Sequence, residues 1–319
     1  MTNTIDELLK RRVIAVLGKG GVGRTSVSGA LAMLAAQRGL RTLVIETDPQ
    51  TPLAVGFGKR SGFAPRRLAA KLWGMFLGGQ ESLEDYLGKV VPRPVLRIVF
   101  ASSIYQHFVR AAPAVRELMM MGKIYDAIER QSPGEPRWDV IVFDAPASGH
   151  ALSMLRMPFV AREGFGESLV GREAKEVVRF FRDRALCAMV AVTTAEPLAM
   201  AETLELNRAL VRLGLEIAAV VFNRKSPAPF ESGNIALMVR RGTRELALRH
   251  VDYLAGIAGS ELKRKSREAR ALEMLRRQIG APRILLHERR GFAGTALFAE
   301  LFAQLITAPV PIPRVAAGP

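Results

Sequence analysis

The sequence Val13-Ile-Ala-Val-Leu-Gly-Lys-Gly-Gly-Val-Gly-Arg-Thr-Ser26 decides the fold of this protein, because it joins an apolar strand to a helix through a glycine-rich turn. A helical pattern rich in Ala and Leu follows, from about Thr25 to Arg38. In such a turn the backbone N–H groups and the positive end of the helix dipole converge on one point, which suits a polyphosphate. Gly18 to Thr25 fits the pattern of a phosphate-binding loop except at Arg24, where that pattern has lysine. The alternative is a glycine turn that binds no ligand.

Length and composition favour one large domain. The chain has 319 residues, 49% of them apolar, and no Ser/Gly-rich or Pro-rich linker interrupts its interior. We therefore expect a single domain over residues 1–307, with helical or irregular subregions at about 49–95, 151–184 and 233–279. The Pro-rich end, residues 308–319, is expected to be a disordered tail.

Cysteine content and hydropathy indicate the cellular environment of the protein. The single cysteine, Cys187, lies in an apolar run, which excludes a disulfide or a multi-thiolate metal site within one chain and favours a buried structural thiol. The segment from Met1 to Arg12 is polar and charged rather than a signal peptide, and no apolar run has the length of a membrane span. These features predict a soluble, cytoplasmic protein.

The remainder of the chain alternates strand and helix patterns. This alternation predicts an α/β fold with a mostly parallel, twisted sheet that helices cover on both faces. Together with the phosphate-binding loop pattern at Gly18 to Thr25, it predicts a P-loop NTPase. After the first strand, the predicted strands are 41–48, 96–101, 138–144, 187–193, 217–222 and 283–286. The predicted helices are 66–76, 83–90, 115–129, the helical region 151–184, one that starts near Glu196-Pro197, two basic helices within 233–279 broken near 256–260, and 295–305.

Polar residues lie where several predicted strands end. Ligands of such sheets bind at the carboxyl ends of the strands, where we expect Lys19, Asp48, Asp144 and Asn223. Beside a bound triphosphate, Thr25 can ligate Mg²⁺ directly while Asp144 holds the ion through water. Asp48 is placed to orient or activate the attacking water, and Asn223 could read a base edge. Taken singly, each has an alternative role as a helix cap or turn former.

Two motifs carry a resemblance to a known family. The run from Gly18 to Ser26 resembles the deviant Walker A motif of the MinD/ParA/ArsA class, whose hallmark is an extra lysine at the place of Lys19. The run from Asp144 to Leu152 resembles switch II of the ArsA arsenical-pump ATPases and of the ATPase that guides tail-anchored proteins to membranes. Asp48-Pro49 is similar to the start of their switch I, and Val221-Phe-Asn-Arg224 to their adenine-side Asn. The resemblance covers most of residues 12–305 and is greatest to the shorter bacterial members, including a mycobacterial paired-gene type.

This resemblance implies an ATPase that binds ATP and Mg²⁺ and works as a nucleotide-dependent homodimer, or as a heterodimer with a paralogous ATPase. Lys19 and Asp48 would be the catalytic residues, the first reaching the partner's phosphates and the second positioning water. The implied nucleotide-binding residues are Gly20, Gly21, Val22, Gly23, Arg24, Thr25, Ser26 and Asn223; Mg²⁺ would be held by Thr25 and Asp144, and switch II would include Asp144, Pro146, Gly149 and His150.

Departures from the family pattern limit what carries over. Arg24 keeps the charge of the usual lysine but is bulkier and forked, so we expect slow hydrolysis, or action beside a catalytically complete paralogue. Arsenite pumping needs clustered thiols, which one cysteine cannot supply. The tail-anchored targeting ATPase ties its dimer with zinc through a Cys-x-x-Cys that this chain lacks, so no zinc is expected. Its client-binding insert is also larger than residues 151–184.

The partner is left open. A net charge of +16 and basic clusters at 59–71 and 263–270 permit a ParA-like ATPase that binds DNA non-specifically, although no aromatic residues interleave them and a solvated face is favoured. A hydrophobic protein client or a membrane surface is the other option, and Met75, Met119 to Met121, Met154 and Met157 could line a groove for it, although core packing is favoured for them. A third alternative is a hydrolysis-poor nucleotide-binding subunit of a paralogue complex.

Overall fold

The computed structural model describes residues 4–92, 94–96, 100, 102, 113–129, 137–226, 248–289, 291 and 294–307. Within them, one eight-stranded sheet has the order β3-β4-β2-β5-β1-β6-β7-β8. The strands are β1 (Val13–Gly18), β2 (Thr42–Glu46), β3 (Arg66–Ala69), β4 (Leu72–Phe76), β5 (Val140–Asp144), β6 (Cys187–Thr193), β7 (Ile217–Lys225) and β8 (Arg283–His287). All neighbouring strands are parallel except β3 and β4. The predicted mostly parallel sheet is confirmed.

Helices cover both faces of this sheet. The described helices are α1 (Thr4–Leu9), α2 (Arg24–Gln37), α3 (Pro52–Gly56), α4 (Gly79–Val90), α5 (Pro113–Glu129), α6 (Ser148–Phe165), α7 (Leu169–Arg182), α8 (Pro197–Arg212), α9 (Leu248–Gln278) and α10 (Gly294–Thr307). Alternate residues of β1 point to opposite cores, because side chains alternate along a strand. Val13 and Leu17 pack with α5 to α9, and Ile14 and Val16 pack with α1, α2, α3 and α10. The wholly buried strands β1, β2, β5 and β6 are typical of a parallel sheet covered on both sides.

The predicted helix at 66–76 is wrong. This segment forms β3 and β4, which pair antiparallel, and Lys71 adopts a left-handed conformation between them with φ 58°. β4 then joins β2 in parallel and extends the sheet by two strands. The apolar residues that had suggested a helix instead pack on the sheet: Met75 is buried, and Trp73 meets Trp138 edge to face with 5.2 Å between ring centroids. Tertiary pairing thus overrode local helical propensity.

Other boundaries need smaller corrections. A strand at 96–101 is wrong for the described residues, since Leu96 and Phe100 are helical and residues 97–99 and 101 lie outside them. The break expected near 256–260 is also wrong, because α9 runs through it. Each glycine inside a helix costs only about 1 kcal/mol, which a helix of this length tolerates. The Ser260 hydroxyl donates to the Gly256 carbonyl there. Residues 233–247 and the tail at 308–319 lie outside the described residues, so the predicted domain bounds stay a prediction.

The remaining predicted elements are confirmed with shifts of a few residues at their ends. The helical region at 151–184 is divided into α6 and α7, and the Gly171 N–H donates to the Ser168 hydroxyl that caps α7. Across the part of the chain that the structure describes, none of the helices has both the length and the apolar character to cross a bilayer.

Candidate nucleotide-binding site

The loop between β1 and α2 has the backbone that its glycines permit. A Cβ at Gly18 would lie 2.3 Å from the carbonyl oxygen of Val192 in β6, which leaves no space for a side chain. Gly23 is the N-cap residue before α2, with φ 97°, and a Cβ there would lie 2.3 Å from the Asn223 amide nitrogen. Because Gly23 has no side chain to cap α2, the first N–H groups of the helix stay open toward the loop.

Asn223 supports the loop from the end of β7. Its side-chain amide donates to the carbonyl of Val22 at 2.8 Å, and its side-chain oxygen accepts from the N–H of Arg224 at 2.9 Å. Arg224 adopts a left-handed conformation, with φ 56°. The predicted position of Asn223 beside the loop agrees with these contacts, whereas its reading of a base stays a prediction.

Asp144 ends β5 in a buried position under the loop. Its two carboxylate oxygens accept hydrogen bonds from the hydroxyls of Thr25 at 2.8 Å and Ser28 at 2.9 Å. Burial raises the pKa of Asp144, while the two hydroxyls and the charge of Arg24 act against that rise and the charge of Asp48 adds to it. The structure therefore brings the glycine-rich loop, the predicted metal ligands Thr25 and Asp144, and Asp48 together.

Arg24, the residue that departs from the usual motif, turns toward the segment from Asp144 to Leu152 that the sequence predicts as switch II. Its guanidinium donates a hydrogen bond to the carbonyl of Ala145, the residue that follows Asp144. Burial lowers the pKa of Arg24, and the charge of Asp144 opposes this effect. The cation thus links the start of α2 to the segment that leads from β5 into α6.

Asp48 lies on the exposed turn after β2. One carboxylate oxygen accepts from the Gln50 N–H at 2.9 Å, and the Asp48 carbonyl accepts from the Thr51 N–H at 2.9 Å. The carboxylate is therefore held by its own turn and faces solvent. Within this loop Thr51 is buried with φ 47°, so the turn is a constrained one.

Lys19 makes an ion pair inside its own chain. Its Nζ lies 2.8 Å from a carboxylate oxygen of Glu202 on α8, and the other oxygen of Glu202 accepts from the Ser148 hydroxyl at 2.7 Å. Ser148 is the first residue of α6. The Glu202 carboxylate therefore joins the loop lysine to the predicted switch II segment.

The rest of the predicted switch II segment is tied to α5. His150 is exposed, and its Nε2 lies 3.3 Å from one carboxylate oxygen of Glu117. The other oxygen of Glu117 accepts from the Ser153 hydroxyl at 2.8 Å. Gly149 is exposed, and half-buried Pro146 lies in the short segment between β5 and α6. Glu117 thus couples the predicted switch helix to a neighbouring helix of the same face.

Several functional candidates escaped sequence reasoning. Ser28 stands three residues after Thr25 on α2, and that helical spacing could have placed both hydroxyls on one acid. Glu46 is an acid inside an apolar strand, which by itself signals a buried carboxylate that needs donors. Glu117 and Glu202 give no such signal, because both lie on ordinary amphipathic helices and meet switch II only in the folded chain.

The methionines lie mostly in the core, as favoured from sequence. Met75, Met120, Met121 and Met154 are buried, whereas Met119 and Met157 are half-buried in small clusters between helices. Met119 lines a cleft of about 350 Å³ between α4, α5 and α7. Its other walls include apolar and charged side chains, among them Tyr86, Lys89, Leu118, Asp126 and Val177.

Comparison with known proteins identifies the family. The model of the anion-transporting ATPase family matches residues 11–173, which include the loop, Asp144 and His150. The chain belongs to this family. ATPase BagA of Mycobacterium tuberculosis is 27% identical over 244 residues, covering 70% of this chain and 68% of the relative. ATPase GET3 of Kluyveromyces lactis is 26% identical over 260 residues, covering 70% and 74%.

A third relative is ATPase ASNA1 homolog 1 of Paramecium tetraurelia, which is 27% identical to this chain over 164 residues. That match covers 48% of this chain and 46% of the relative. The family membership and these relatives make the protein an ATP-hydrolysing, nucleotide-binding enzyme. The resemblance drawn from the two motifs is therefore confirmed. The family match ends before β6, so Asn223 and Glu202 lie outside it.

Proposed function

We propose that this ATPase binds ATP with Mg²⁺ at the loop from Gly18 to Ser26 and works as a nucleotide switch in a homodimer or heterodimer. The observation that carries the proposal is the bond from the Thr25 hydroxyl to Asp144, at the end of the strand beside β1. P-loop NTPases use a hydroxyl and a strand-end Asp at these places to hold Mg²⁺ beside the phosphates. In this proposal Gly20 to Ser26 cradle the phosphates and Asp48 positions the attacking water.

The donor set suits Mg²⁺. Thr25 and Asp144 offer oxygen atoms, which this cation prefers, and they leave room for the waters that it usually keeps. A cation would also offset the burial that raises the pKa of Asp144. Thr25 would bind Mg²⁺ directly and Asp144 through water, and the bound ion would neutralise charge on the β- and γ-phosphates.

Switch II supplies the route by which the nucleotide state reaches the rest of the molecule. Asp144 leads through Ala145 and Pro146 into α6, whose early residues Ser148 and His150 contact α8 and α5. Movement of this segment with loss of the γ-phosphate would therefore shift helices on one face of the sheet, as in other nucleotide switches.

We propose that Arg24 slows turnover. A forked guanidinium is larger than the usual ammonium, and here it bonds the Ala145 carbonyl, so movement of switch II must break that contact. We expect Arg24→Lys to raise kcat about tenfold or more while ATP affinity changes only a few-fold. Steady-state hydrolysis and equilibrium nucleotide binding measure the two quantities.

Arg38→Lys is the matched control, because Arg38 follows the opposite end of α2 and bonds Asp6 on α1. That variant should leave kcat unchanged. A wild-type kcat of about 1 s⁻¹ or more, in the ordinary range of enzymes, would contradict the slow-turnover proposal. Sizing of the chain alone, with ATP and with ADP, tests the dimer, and co-expression with a paralogue tests the heterodimer.

A hydrophobic protein client or a membrane surface would be handled by the helices beside switch II. The cleft lined by Met119 has room for a few side chains from one face of a client helix, although not for the whole helix, which is about 10 Å wide. We expect ATP-loaded protein to retain a hydrophobic helical peptide in pull-down. Equal retention without nucleotide would indicate mere stickiness.

Non-specific DNA binding is the second candidate. The exposed residues Lys263, Arg267, Arg270 and Arg277 recur at helical spacing along one side of α9. Phosphate contacts of this kind predict retention of duplex DNA that falls steeply between low and moderate salt. DNA retention that does not change with salt concentration, or no retention at low salt, would contradict non-specific DNA binding.

A further inference from the structure

The Lys19 side chain is already engaged by an anion within its own chain. Its ammonium lies 2.8 Å from Glu202, and the side chains of the two residues are 28% and 35% exposed. Glu202 is 183 positions away in sequence, so the contact is a product of the fold rather than of helical spacing. The same carboxylate accepts from Ser148 at 2.7 Å. A triphosphate and Glu202 are thus competing partners for one lysine.

The electrostatics of Glu202 agree with this geometry. The hydrogen bonds from Lys19 and Ser148 lower the pKa of Glu202, so it stays anionic at neutral pH. An open cleft of about 460 Å³ lies beside it, between α8 and the start of α6. Glu202 therefore has space to swing away when a stronger anion takes the lysine.

We propose that Glu202 is a positioning residue that acts as a latch, holding Lys19 and the first turn of α6 in the nucleotide-free chain. Phosphate from a second subunit then displaces Glu202 from Lys19 and releases Ser148 at the same step. The latch rests on the proposed function, because it requires that Lys19 serve a partner's phosphates. It adds that dimer formation works against an ion pair inside each chain and that release of switch II is coupled to this exchange.

The first test compares Glu202→Gln with Glu205→Gln. Both variants remove one negative charge from α8, and Glu205 is exposed one turn away, so it controls for net charge. Light scattering of the full chain against ATP and Mg²⁺ gives the ATP concentration at half dimerisation. We expect Glu202→Gln to lower this concentration about two- to fivefold, the range for an exposed ion pair, and Glu205→Gln to leave it unchanged.

Salt separates a latch from a general structural role. The difference between Glu202→Gln and wild type should shrink as ionic strength rises, because added salt screens the pair that only wild type retains. Both proteins should keep the same thermal midpoint. A Glu202→Gln shift equal to that of Glu205→Gln, or one that salt does not alter, would overturn the latch.

A second measurement does not depend on dimers. Trace acylation of nucleotide-free protein, read by mass spectrometry, reports how accessible the Lys19 amine is. We expect Lys19 to react several-fold faster in Glu202→Gln than in wild type, with the exposed residue Lys175 on α7 as internal reference. Equal rates would overturn the latch. If ATP produces no dimer in wild type while Lys19 labelling responds to Glu202→Gln, the dimer proposal fails and the intrachain hold of Glu202 on Lys19 stands.

Discussion

The carboxyl ends of β2 and β5 place two buried acids side by side in different surroundings. Glu46 and Asp144 are direct partners in the parallel register of these strands. Asp144 accepts only from side-chain hydroxyls of α2 among the hydrogen bonds described for it. Glu46 accepts from the backbone N–H groups of Leu53 at 2.6 Å and Ala54 at 3.2 Å, at the start of α3. The two neighbours therefore have different tasks.

Donor type separates those tasks. Backbone N–H groups at a helix start are fixed, so Glu46 is a remote cap that holds α3 behind the Asp48 turn. Hydroxyls can rotate and can themselves bind a cation, so Asp144 is suited to a site whose contents change. Burial raises the pKa of both acids, that of Glu46 to about 7. We therefore expect Glu46 to govern folding stability and Asp144 to govern turnover.

The free energy of unfolding should fall as the pH rises, because of Glu46. Its pKa is raised from 4.5 to about 7, so the folded state binds the proton more tightly than the unfolded state. Protonated Glu46 therefore contributes about 3 kcal/mol to the free energy of unfolding. This contribution is complete below about pH 4.5 and is lost as the pH rises through about 7. The Glu46→Gln variant should lack this loss. Its free energy of unfolding relative to wild type should therefore rise by about 3 kcal/mol from about pH 4.5 to above pH 7. Urea unfolding of both proteins at acidic and at alkaline pH measures the difference.

Glu205→Gln is the control for that measurement, since an exposed acid should leave the pH dependence as it is in wild type. Parallel stability curves for wild type and Glu46→Gln across the whole range would contradict the assignment of Glu46 as a buried, protonatable cap.

Turnover should depend on Asp144 instead. Asp144→Asn keeps the shape and can still accept from Thr25 or Ser28, but it removes the charge that would hold Mg²⁺ through water. We expect kcat to fall about 10- to 100-fold and the Mg²⁺ requirement to rise, the usual effect of losing an outer-sphere partner. Hydrolysis assays over a Mg²⁺ titration measure both. Glu46→Gln, the paired control, should keep kcat within about threefold, and equal losses in the two variants would erase the distinction between the acids.

Sequence reasoning found the sheet and most of the site because their signals are local. Apolar runs that end in polar residues marked β1, β2, β5, β6, β7 and β8, and a parallel sheet gathers such ends at one edge. The loop, Asp48, Asp144 and Asn223 were predicted there, and the charge of Asp48 acts on Asp144 in the folded chain. The side-chain roles assigned to them stay predictions.

What escaped prediction depends on contacts that a sequence does not record. Nothing in the residues around Glu202 indicates that it will meet Lys19, since the two come together only when α8 packs beside β1. β3 and β4 carry an Ala- and Leu-containing run that favours a helix locally, and pairing with β2 decides otherwise. Arg24 was recognised as a departure, but its contact with the Ala145 carbonyl required coordinates.

A smaller effect should appear at the two serines that serve these acids. The Ser28 hydroxyl is fully buried and donates to Asp144 at 2.9 Å, whereas the Ser61 hydroxyl is half-buried and donates to Glu46 at 3.2 Å. Ser28→Ala leaves a buried carboxylate oxygen without its donor, so we expect a loss of about 1–2 kcal/mol in the free energy of unfolding.

Ser61→Ala should cost about 0.5 kcal/mol or less, because two backbone donors still hold Glu46 and solvent reaches the site. Urea denaturation of both variants at one neutral pH compares them directly. Equal losses would mean that the Ser28 hydroxyl stabilises Asp144 no more than the Ser61 hydroxyl stabilises Glu46. A larger loss at Ser28 would place the stringent hydrogen-bond requirement at the end of β5, where the proposed Mg²⁺ site lies.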